Sequence, residues 1–360
     1  MPSSRFEITM KDETKPKPVS GWGWWPSWRP TSMSILKNTE AKILDCVQNH
    51  VWARFVSLPN QDQIWTLTIT NKNPLKTPKP VAQTPLVMVH GFGGGVGLWI
   101  RNLDPLCHSR PLFVFDLLGF GRSSRPRFPM DPILAEEQSV SSIEHWRHAL
   151  GIERMILLGH SLGGYLATSY AIQYPERVSH LILVDPWGFQ HMPADRKSGS
   201  PKPGISRWLE ALIVFSGLFN PLAVIRAAGP LGPKLVNRLR PDFNRKFEDI
   251  FDDDTMTQYL YHCNAQTPSG EVGFKAMSES IGWAKRPMLD RVHLLPPTLP
   301  VTLVYGGSSW MDSTIGARVA EKRPNSYTRT VVIPGAAHQV NADQPEEFNR
   351  VVQSICDSVD

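Results

Sequence analysis

The sequence is poor in cysteine and lacks a long apolar run. Four cysteines stand among 360 residues, and their spacing matches neither a zinc site nor a disulfide framework. They are Cys46, Cys107, Cys263 and Cys356. This pattern predicts a reduced, intracellular setting. No uninterrupted apolar stretch approaches the ~20 residues that a membrane-spanning helix needs, and residues 1–20 lack the apolar core of a signal peptide. We therefore expect any membrane contact to be peripheral.

Nucleic-acid-binding motifs are also lacking, although the chain is basic. Its formal net charge is +5, and it contains 12 tryptophans. Four of these lie close together near the N-terminus: Trp22, Trp24, Trp25 and Trp28. Because an indole ring can bury an apolar face while its N–H stays wet, it favours the interface between water and lipid. The segment therefore predicts contact with a lipid surface and not with nucleic acid. The alternative is that these rings cover an apolar groove on the folded body.

The most informative stretch runs from Met155 to Tyr165. An apolar run of strand length meets Gly-x-Ser-x-Gly, and small-residue helical sequence follows at once. A serine on a tight strand-to-helix turn occupies strained φ/ψ space, so Gly159 and Gly163 must lack side chains that would clash. This context predicts the nucleophile elbow of an α/β-hydrolase, with Ser161 as the nucleophile.

Strand and helix patterns alternate along the chain with one long interruption. Alternation lapses after Phe189 and resumes with a strand near Val301. We expect a mostly parallel, eight-stranded sheet flanked by helices, with a mainly helical cap inserted after the sixth strand. The predicted divisions are an N-terminal part with the Trp-rich segment and a leading helix (1–50), the first part of the core (51–188), the cap (189–298) and the second part of the core (299–360).

A serine hydroxyl needs a base to remove its proton, and histidine is the usual one. His338 follows the last predicted strand in a loop of small residues, where this fold carries its base. His160 adjoins Ser161 on the elbow strand, so its ring should point away from the hydroxyl. His90 ends a strand and is expected to shape the glycine-rich loop that follows it. The sequence therefore predicts His338 as the base.

The acid that orients the base has two candidates. Asp312 is the only carboxylate in the loop 306–312 that follows the seventh strand, and it is favoured. It could instead cap the next helix, beside Ser313 and Thr314. Asp185, at the end of the sixth strand, is the rival. In either case the carboxylate would orient His338 and stabilise the imidazolium without taking the proton.

Two groups of backbone amides are expected to form an oxyanion hole. The sequence His90 to Gly94 carries little side-chain bulk after a strand, so the amide of Phe92 or Gly93 can approach an acyl oxygen. The amide of Leu162, at the start of the elbow helix, would be its partner. Each such donor typically lowers the barrier by roughly 2.7–4 kcal/mol.

A further pattern, His338-x4-Asp343, matches that of glycerolipid acyltransferases. A helix cap explains the same aspartate without a catalytic role. Asp343 would cap the closing helix, with Pro345 in its first turn and Glu346 at the third position. The sequence favours capping.

Several motifs in order resemble one subfamily of α/β-hydrolases. They are HGFGGG, FDLLGFGRSSRP, the elbow, ILVDPWGF, YLYHCNAQTPSGE, GWAKRPML and HxxxADQPEEFN. This subfamily contains the lyso-N-acylphosphatidylethanolamine lipases and a sibling, the lipid-droplet coactivator of triglyceride lipase. The resemblance runs from Trp22 to Asp360. The sibling has asparagine at the nucleophile position, whereas this chain has Ser161, which favours the lipase. Ser309 stands where many relatives carry aspartate.

The resemblance implies a serine lipase that removes the fatty acyl chain of N-acylphosphatidylethanolamine and its lyso form. We expect Ser161, His338 and Asp312 to act without a metal or cofactor. The alternatives are a lysophosphatidic acid acyltransferase that uses His338 and Asp343, or a non-catalytic regulator of a lipid-droplet lipase. The expected partners are phospholipid substrates and a membrane or lipid-droplet surface. The expected location is the cytoplasm, at the endoplasmic reticulum membrane or lipid droplets.

Overall fold

A computed structural model gives the architecture of residues 31–73, 83–193, 222–280 and 282–360. The tryptophans of the predicted lipid-surface segment, Trp22, Trp24, Trp25 and Trp28, lie outside the described residues. Within these ranges, no helix is both long enough and apolar enough to cross a bilayer.

Eight strands form the central sheet, in the order β1-β2-β4-β3-β5-β6-β7-β8. β2 pairs antiparallel with β1 and β4, and all other neighbours are parallel. The strands are β1 His50–Ser57, β2 Gln63–Thr70, β3 Leu86–Val89, β4 Leu112–Phe115, β5 Met155–His160, β6 Val178–Val184, β7 Val301–Gly306 and β8 Thr328–Ile333. The predicted fold class is therefore confirmed.

Twelve α-helices are described. Those before the cap are α1 Met33–Leu44, α2 Ile100–Leu106, α3 Pro132–Ala149 and α4 Leu162–Gln173. Those between β6 and β7 are α5 Ala223–Ala227, α6 Gly232–Leu239, α7 Asp242–Lys246, α8 Thr255–Asn264 and α9 Gly270–Met277. The last three are α10 Ile315–Lys322, α11 Val340–Asp343 and α12 Pro345–Asp357. A short ribbon pairs Ser278–Ser280 with Trp283–Ala284.

The central parallel strands are buried and mostly apolar because helices cover both faces of the sheet. β3, β5 and β7 are buried at every residue. α4 follows β5 directly and is itself almost wholly buried, which fixes the turn between them in the centre of the molecule. The sheet thus presents the carboxyl ends of β3, β5, β6 and β7 side by side, where a doubly covered sheet builds its site.

The cap has an apolar interior of its own, which also receives side chains from the core. Phe243, Phe247 and Tyr259 are buried there together with Leu36 of α1 and Leu98 of the 3-10 turn that follows the glycine-rich loop. α1 packs on α8, so the leading helix and the cap cover the same edge of the core. The cap therefore lies directly over the loop that follows β3.

Candidate active site

The turn from β5 to α4 places Ser161 in a strained conformation. Its φ of 53° lies in the left-handed region that side chains disfavour. A Cβ on Gly159 would lie 2.3 Å from the carbonyl oxygen of Gly163, and one on Gly163 would lie 2.5 Å from the carbonyl oxygen of Val89. The elbow therefore requires both glycines, as the motif predicts.

His338 connects Ser161 to a carboxylate. Its Nε2 lies 3.1 Å from Ser161 Oγ, and its Nδ1 lies 3.0 Å from Asp185 Oδ2. Since Asp185 can only accept when ionised, Nδ1 carries the imidazole proton and Nε2 is left to accept the serine hydroxyl. The structure thus brings Ser161 and His338 together in the order that nucleophilic catalysis needs.

Asp185, and not Asp312, is the carboxylate on His338, which corrects the preferred expectation from the sequence. Asp312 Oδ1 instead accepts hydrogen bonds from the N–H and the hydroxyl of Thr314, at 2.9 and 2.7 Å. It therefore stabilises the turn that precedes α10. The alternative role weighed for it, capping that helix, is not observed either, because Thr314 occupies the N-cap and no side chain makes a capping bond there. The loop after β7 reaches the site through Ser309, whose hydroxyl donates to Asp185 Oδ2.

Asp185 is held tightly where β6 ends. The carboxylate is fully buried, and its Oδ1 accepts the N–H of Gly306 at 3.0 Å. Its φ of 43° is another left-handed conformation of a non-glycine residue. The ends of the adjacent strands β5 and β6 therefore both store backbone strain, and each points a functional side chain at His338.

His160 fixes the loop that carries the base. Its Nε2 lies 2.8 Å from the carbonyl oxygen of His338, so Nε2 donates the proton. Burial against Trp99 and the neighbouring His338 ring lowers the pKa of His160 to about 3, which keeps it neutral. The sequence predicts only that this ring points away from the serine hydroxyl. Its hydrogen bond to His338 is visible only in the tertiary structure.

His90 anchors the glycine-rich loop in the same way. Its Nε2 accepts the N–H of Leu117 at 3.0 Å, so Nδ1 donates to the carbonyl oxygen of Gly91 at 2.7 Å. Burial lowers the pKa of His90 to about 4. The role expected of His90, to shape this loop, agrees with these contacts.

The glycine-rich loop lies against the nucleophile. A Cβ on Gly91 would lie 2.9 Å from Ser161 Cβ, so Phe92 and Gly93 follow directly at the site. Leu162 is the first residue of α4, and its N–H has no acceptor within the helix. The structure thus brings together the two backbone segments that are expected to form the oxyanion hole.

The prediction that Asp343 caps the closing helix is wrong. Gln344 occupies the N-cap of α12 and makes no side-chain capping bond. Asp343 Oδ2 instead accepts the N–H of Ala337 at 2.9 Å, and Oδ1 lies 3.0 Å from Lys246 Nζ of the cap. The short helix α11 turns Asp343 back toward the loop of the base, a contact that no local sequence pattern indicates.

The described residues contain no cluster of three or more histidine, cysteine, aspartate or glutamate side chains arranged to hold a metal ion. All four cysteines are free thiols.

A family model described as the alpha/beta hydrolase fold matches residues 84–345. The (lyso)-N-acylphosphatidylethanolamine lipases of cattle and human are 60% and 59% identical to this chain over 330 residues, which cover 92% of this chain and 94% of each relative. Human 1-acylglycerol-3-phosphate O-acyltransferase is 52% identical over 330 residues, 92% of each chain.

Solved structures share the fold at low sequence identity. A bacterial membrane phospholipase A is 20% identical with a TM-score of 0.59, and the match covers 91% of both chains. A carboxylesterase from Bacillus subtilis is 16% identical with a TM-score of 0.61, over 89% of this chain and 97% of the esterase. Together with the family match and the close relatives, the sheet order and the elbow identify the chain as a member of the α/β-hydrolase fold family.

Proposed function

We propose that this chain is a serine lipase that hydrolyses the fatty acyl ester of N-acylphosphatidylethanolamine and of its lyso form. The observation that carries the proposal is the chain of contacts from Ser161 to His338 to Asp185 at an intact elbow. The substrate class rests on the lipases that are 59–60% identical to this chain over 92% of its length.

The geometry supports an acyl-enzyme mechanism. As Ser161 Oγ attacks the ester carbonyl carbon, its proton passes to Nε2 of His338. The negative charge that forms on the acyl oxygen would be held by the amides of Leu162 and of Phe92 or Gly93. Nε2 then gives its proton to the departing glycerol oxygen, which leaves the acyl group on Ser161. Water repeats the same steps and releases the fatty acid.

Asp185 would stabilise the imidazolium that exists between the two proton transfers. Because the hydroxyl of Ser309 and the N–H of Gly306 also donate to it, the carboxylate stays oriented in a fully buried position. No step of this mechanism calls for a metal or cofactor.

The acyltransferase alternative has less support. In that role Asp343 would need to act with His338, but both imidazole nitrogens of His338 already have other partners, Asp185 and Ser161. Asp343 contacts Ala337 N–H and Lys246 instead. A non-catalytic role is disfavoured by the intact serine at the elbow.

The proposal includes a lipid surface as the place of reaction. Both proposed substrates carry at least two long acyl chains and are nearly insoluble, so the enzyme must take them from a membrane or a lipid droplet. Trp22, Trp24, Trp25 and Trp28 supply the interfacial rings for this contact. We place the protein in the cytoplasm, held peripherally at the endoplasmic reticulum membrane or at lipid droplets.

Replacement of the nucleophile tests the proposed reaction. Ser161→Ala removes the attacking oxygen, so hydrolysis of lyso-N-acylphosphatidylethanolamine should fall by about 10⁶-fold, as for other triad serines. Labelling by a fluorophosphonate probe should also disappear. The control is Ser313→Ala, which changes a serine outside the site. Turnover above a tenth of the wild-type value in Ser161→Ala would sink the proposed mechanism.

A further inference from the structure

Helix α8 of the cap touches the glycine-rich loop at two points. Asn264 Nδ2 donates to the carbonyl oxygen of Gly93 at 2.8 Å and to that of Leu260, in its own helix, at 2.8 Å. Nearer the start of α8, the hydroxyl of Tyr259 accepts the N–H of Gly97 at 3.0 Å. A single helix of the insertion therefore holds the segment after β3 at two places, the glycine-rich turn at Gly93 and the 3-10 turn Val96–Trp99 at Gly97.

Both side chains are removed from water. Tyr259 is 0% exposed and Asn264 is 8% exposed, and Tyr259 lies in the apolar interior of the cap. A buried polar group that loses its partner destabilises the fold, so these contacts resist opening. The loop is consequently held by the cap as well as by His90 of the core.

The contact of Asn264 falls on the turn that carries the oxyanion donors. Gly94 N–H donates to the carbonyl oxygen of Gly91 at 3.1 Å and closes a four-residue turn. Gly93 has a φ of 66° in the third position of this turn, as a type II turn requires. The peptide unit between Gly93 and Gly94 is thus anchored at its N–H by Gly91 and at its carbonyl by Asn264.

Fixing this peptide unit limits how the preceding amides can rotate. Those amides, at Phe92 and Gly93, are the ones proposed to face the acyl oxygen. A Cβ on Gly93 would lie 3.0 Å from Asn264 Oδ1, so the cap side chain also fits closely against the turn. Donors that are aimed before the reaction stabilise the oxyanion without reorganisation.

We propose that Tyr259 and Asn264 are positioning residues, which aim the oxyanion donors of the core from the cap. The formation of the oxyanion hole then depends on the packing of α8 against the glycine-rich loop. This inference rests on the proposed serine-hydrolase function, because it assigns no chemistry of its own. In this proposal the cap helps to orient the catalytic groups and also covers the active site.

Tyr259→Phe and Asn264→Asp test the proposal. The first keeps the ring and removes the hydroxyl that accepts Gly97 N–H, and the second places a carboxylate against the carbonyl of Gly93. We expect kcat on a short soluble ester to fall about 10–100-fold, short of the about 10²–10³-fold loss on deleting an oxyanion donor. KM should change less than threefold.

The matched controls lie in the same region of the cap. Tyr261→Phe removes a hydroxyl that donates to Gly229 within the cap at 2.9 Å. Gln266→Glu removes an amide that donates to the carbonyl of His262 at 3.0 Å. Neither contact reaches the glycine-rich loop. Both controls should keep wild-type kcat, although their unfolding temperatures should fall as much as those of the test variants.

A tetrahedral inhibitor gives a readout that stability alone does not move. A trifluoromethyl ketone forms an oxyanion on Ser161, whereas the parent methyl ketone binds mainly without one. Tyr259→Phe and Asn264→Asp should weaken binding of the trifluoromethyl ketone about as much as they lower kcat. Binding of the methyl ketone should be unchanged.

If Asn264→Asp fails to fold, Tyr259→Phe, which keeps the ring, decides the question. If Tyr259→Phe lowers kcat no more than the Tyr261→Phe control does, the proposal is overturned. Failure of the serine-hydrolase function itself would show separately, as activity retained in Ser161→Ala.

Discussion

At the residue scale, the site is built on two residues with a strained backbone, Ser161 and Asp185. Ser161 and Asp185 both have positive φ, at the ends of neighbouring strands. Conformations of this kind cost about 1–3 kcal/mol each and persist where the surroundings enforce them. Here they place an oxygen of Ser161 and an oxygen of Asp185 on the two nitrogens of a single imidazole.

Asparagine in place of each candidate acid separates the two carboxylates. Asp185→Asn should lower kcat by about 10⁴-fold, because an amide no longer favours the tautomer with the proton on Nδ1. Asp312→Asn should keep wild-type activity, since asparagine can also accept the hydrogen bonds from Thr314. Steady-state hydrolysis of a soluble ester measures the kcat of both variants. A large loss in Asp312→Asn alone would restore the expectation from the sequence.

His180 provides a test of pH-dependent stability away from the site. It is buried on β6 beside Thr302, and burial lowers its pKa from 6.5 to about 4. Between these values the unfolded chain binds the extra proton, so the stability gained from neutral His180 is present above pH 6.5 and is lost as the pH falls toward 4.

His180→Gln removes this titration. By linkage, the destabilisation of the variant relative to wild type should be about 2 kcal/mol smaller at pH 5 than at pH 7. Denaturant unfolding at the two pH values measures it. If the variant is destabilised relative to wild type by the same amount at pH 5 and at pH 7, His180 has the same pKa in the folded and unfolded states.

At the scale of elements, the cap and the loop of the base are joined by an ion pair. Lys246, at the end of α7, lies 3.0 Å from Asp343 and also 3.0 Å from Asp242 of its own helix. Arg101 of α2 adds a second connection, because its guanidinium donates to the carbonyl of Lys246 and to Asp249. The last residue of α7 is therefore held by two elements of the core.

Substitution of Asp343 distinguishes this structural role from acyltransferase chemistry. Asp343→Asn keeps an oxygen for Ala337 N–H, so esterase activity should stay near wild type. Asp343→Ala leaves that amide unpaired and should lower stability by about 1–3 kcal/mol. The companion variant Lys246→Met removes the ion pairs with Asp343 and Asp242 and leaves the hydrogen bond from Ala337 N–H to Asp343 in place. Loss of acyl transfer in Asp343→Asn at unchanged thermal stability would argue for a catalytic Asp343.

At the scale of the whole molecule, substrate reaches the site from a lipid surface in our proposal. The Trp-rich segment precedes α1, and α1 packs against α8 of the cap. The segment that would touch lipid is thus followed directly by a helix that contacts the cap over the site.

Replacement of all four tryptophans tests this arrangement. With Trp22, Trp24, Trp25 and Trp28 changed to alanine, binding to liposomes should weaken and hydrolysis of bilayer substrate should slow, because the interfacial rings are lost. Hydrolysis of a short soluble ester should be nearly unchanged. As a control, Trp52→Ala removes an exposed indole from β1. Equal losses on both substrates would indicate that the four rings pack on the hydrolase body.

Features that depend on neighbouring residues were predictable from the sequence alone. The elbow is local, since the glycines that Ser161 requires stand within two positions of it. Burial on both faces makes the central parallel strands mostly apolar, so the apolar run that enters the elbow could be recognised as a strand. His338 follows from its place after the last strand. The division of the chain into core and cap at 188 and 299 stays a prediction.

Features that depend on contacts between distant segments were decided by the tertiary structure. Asp185 and Asp312 both follow strands, and only the path of the loop after β7 determines that Ser309 reaches the site while Asp312 turns toward Thr314. Asp343 resembles a helix cap in sequence, but Lys246 and Ala337 bind it instead. Hydrogen bonds between side chains remote in sequence leave no periodic pattern, because their partners become neighbours only when the sheet and the cap have packed.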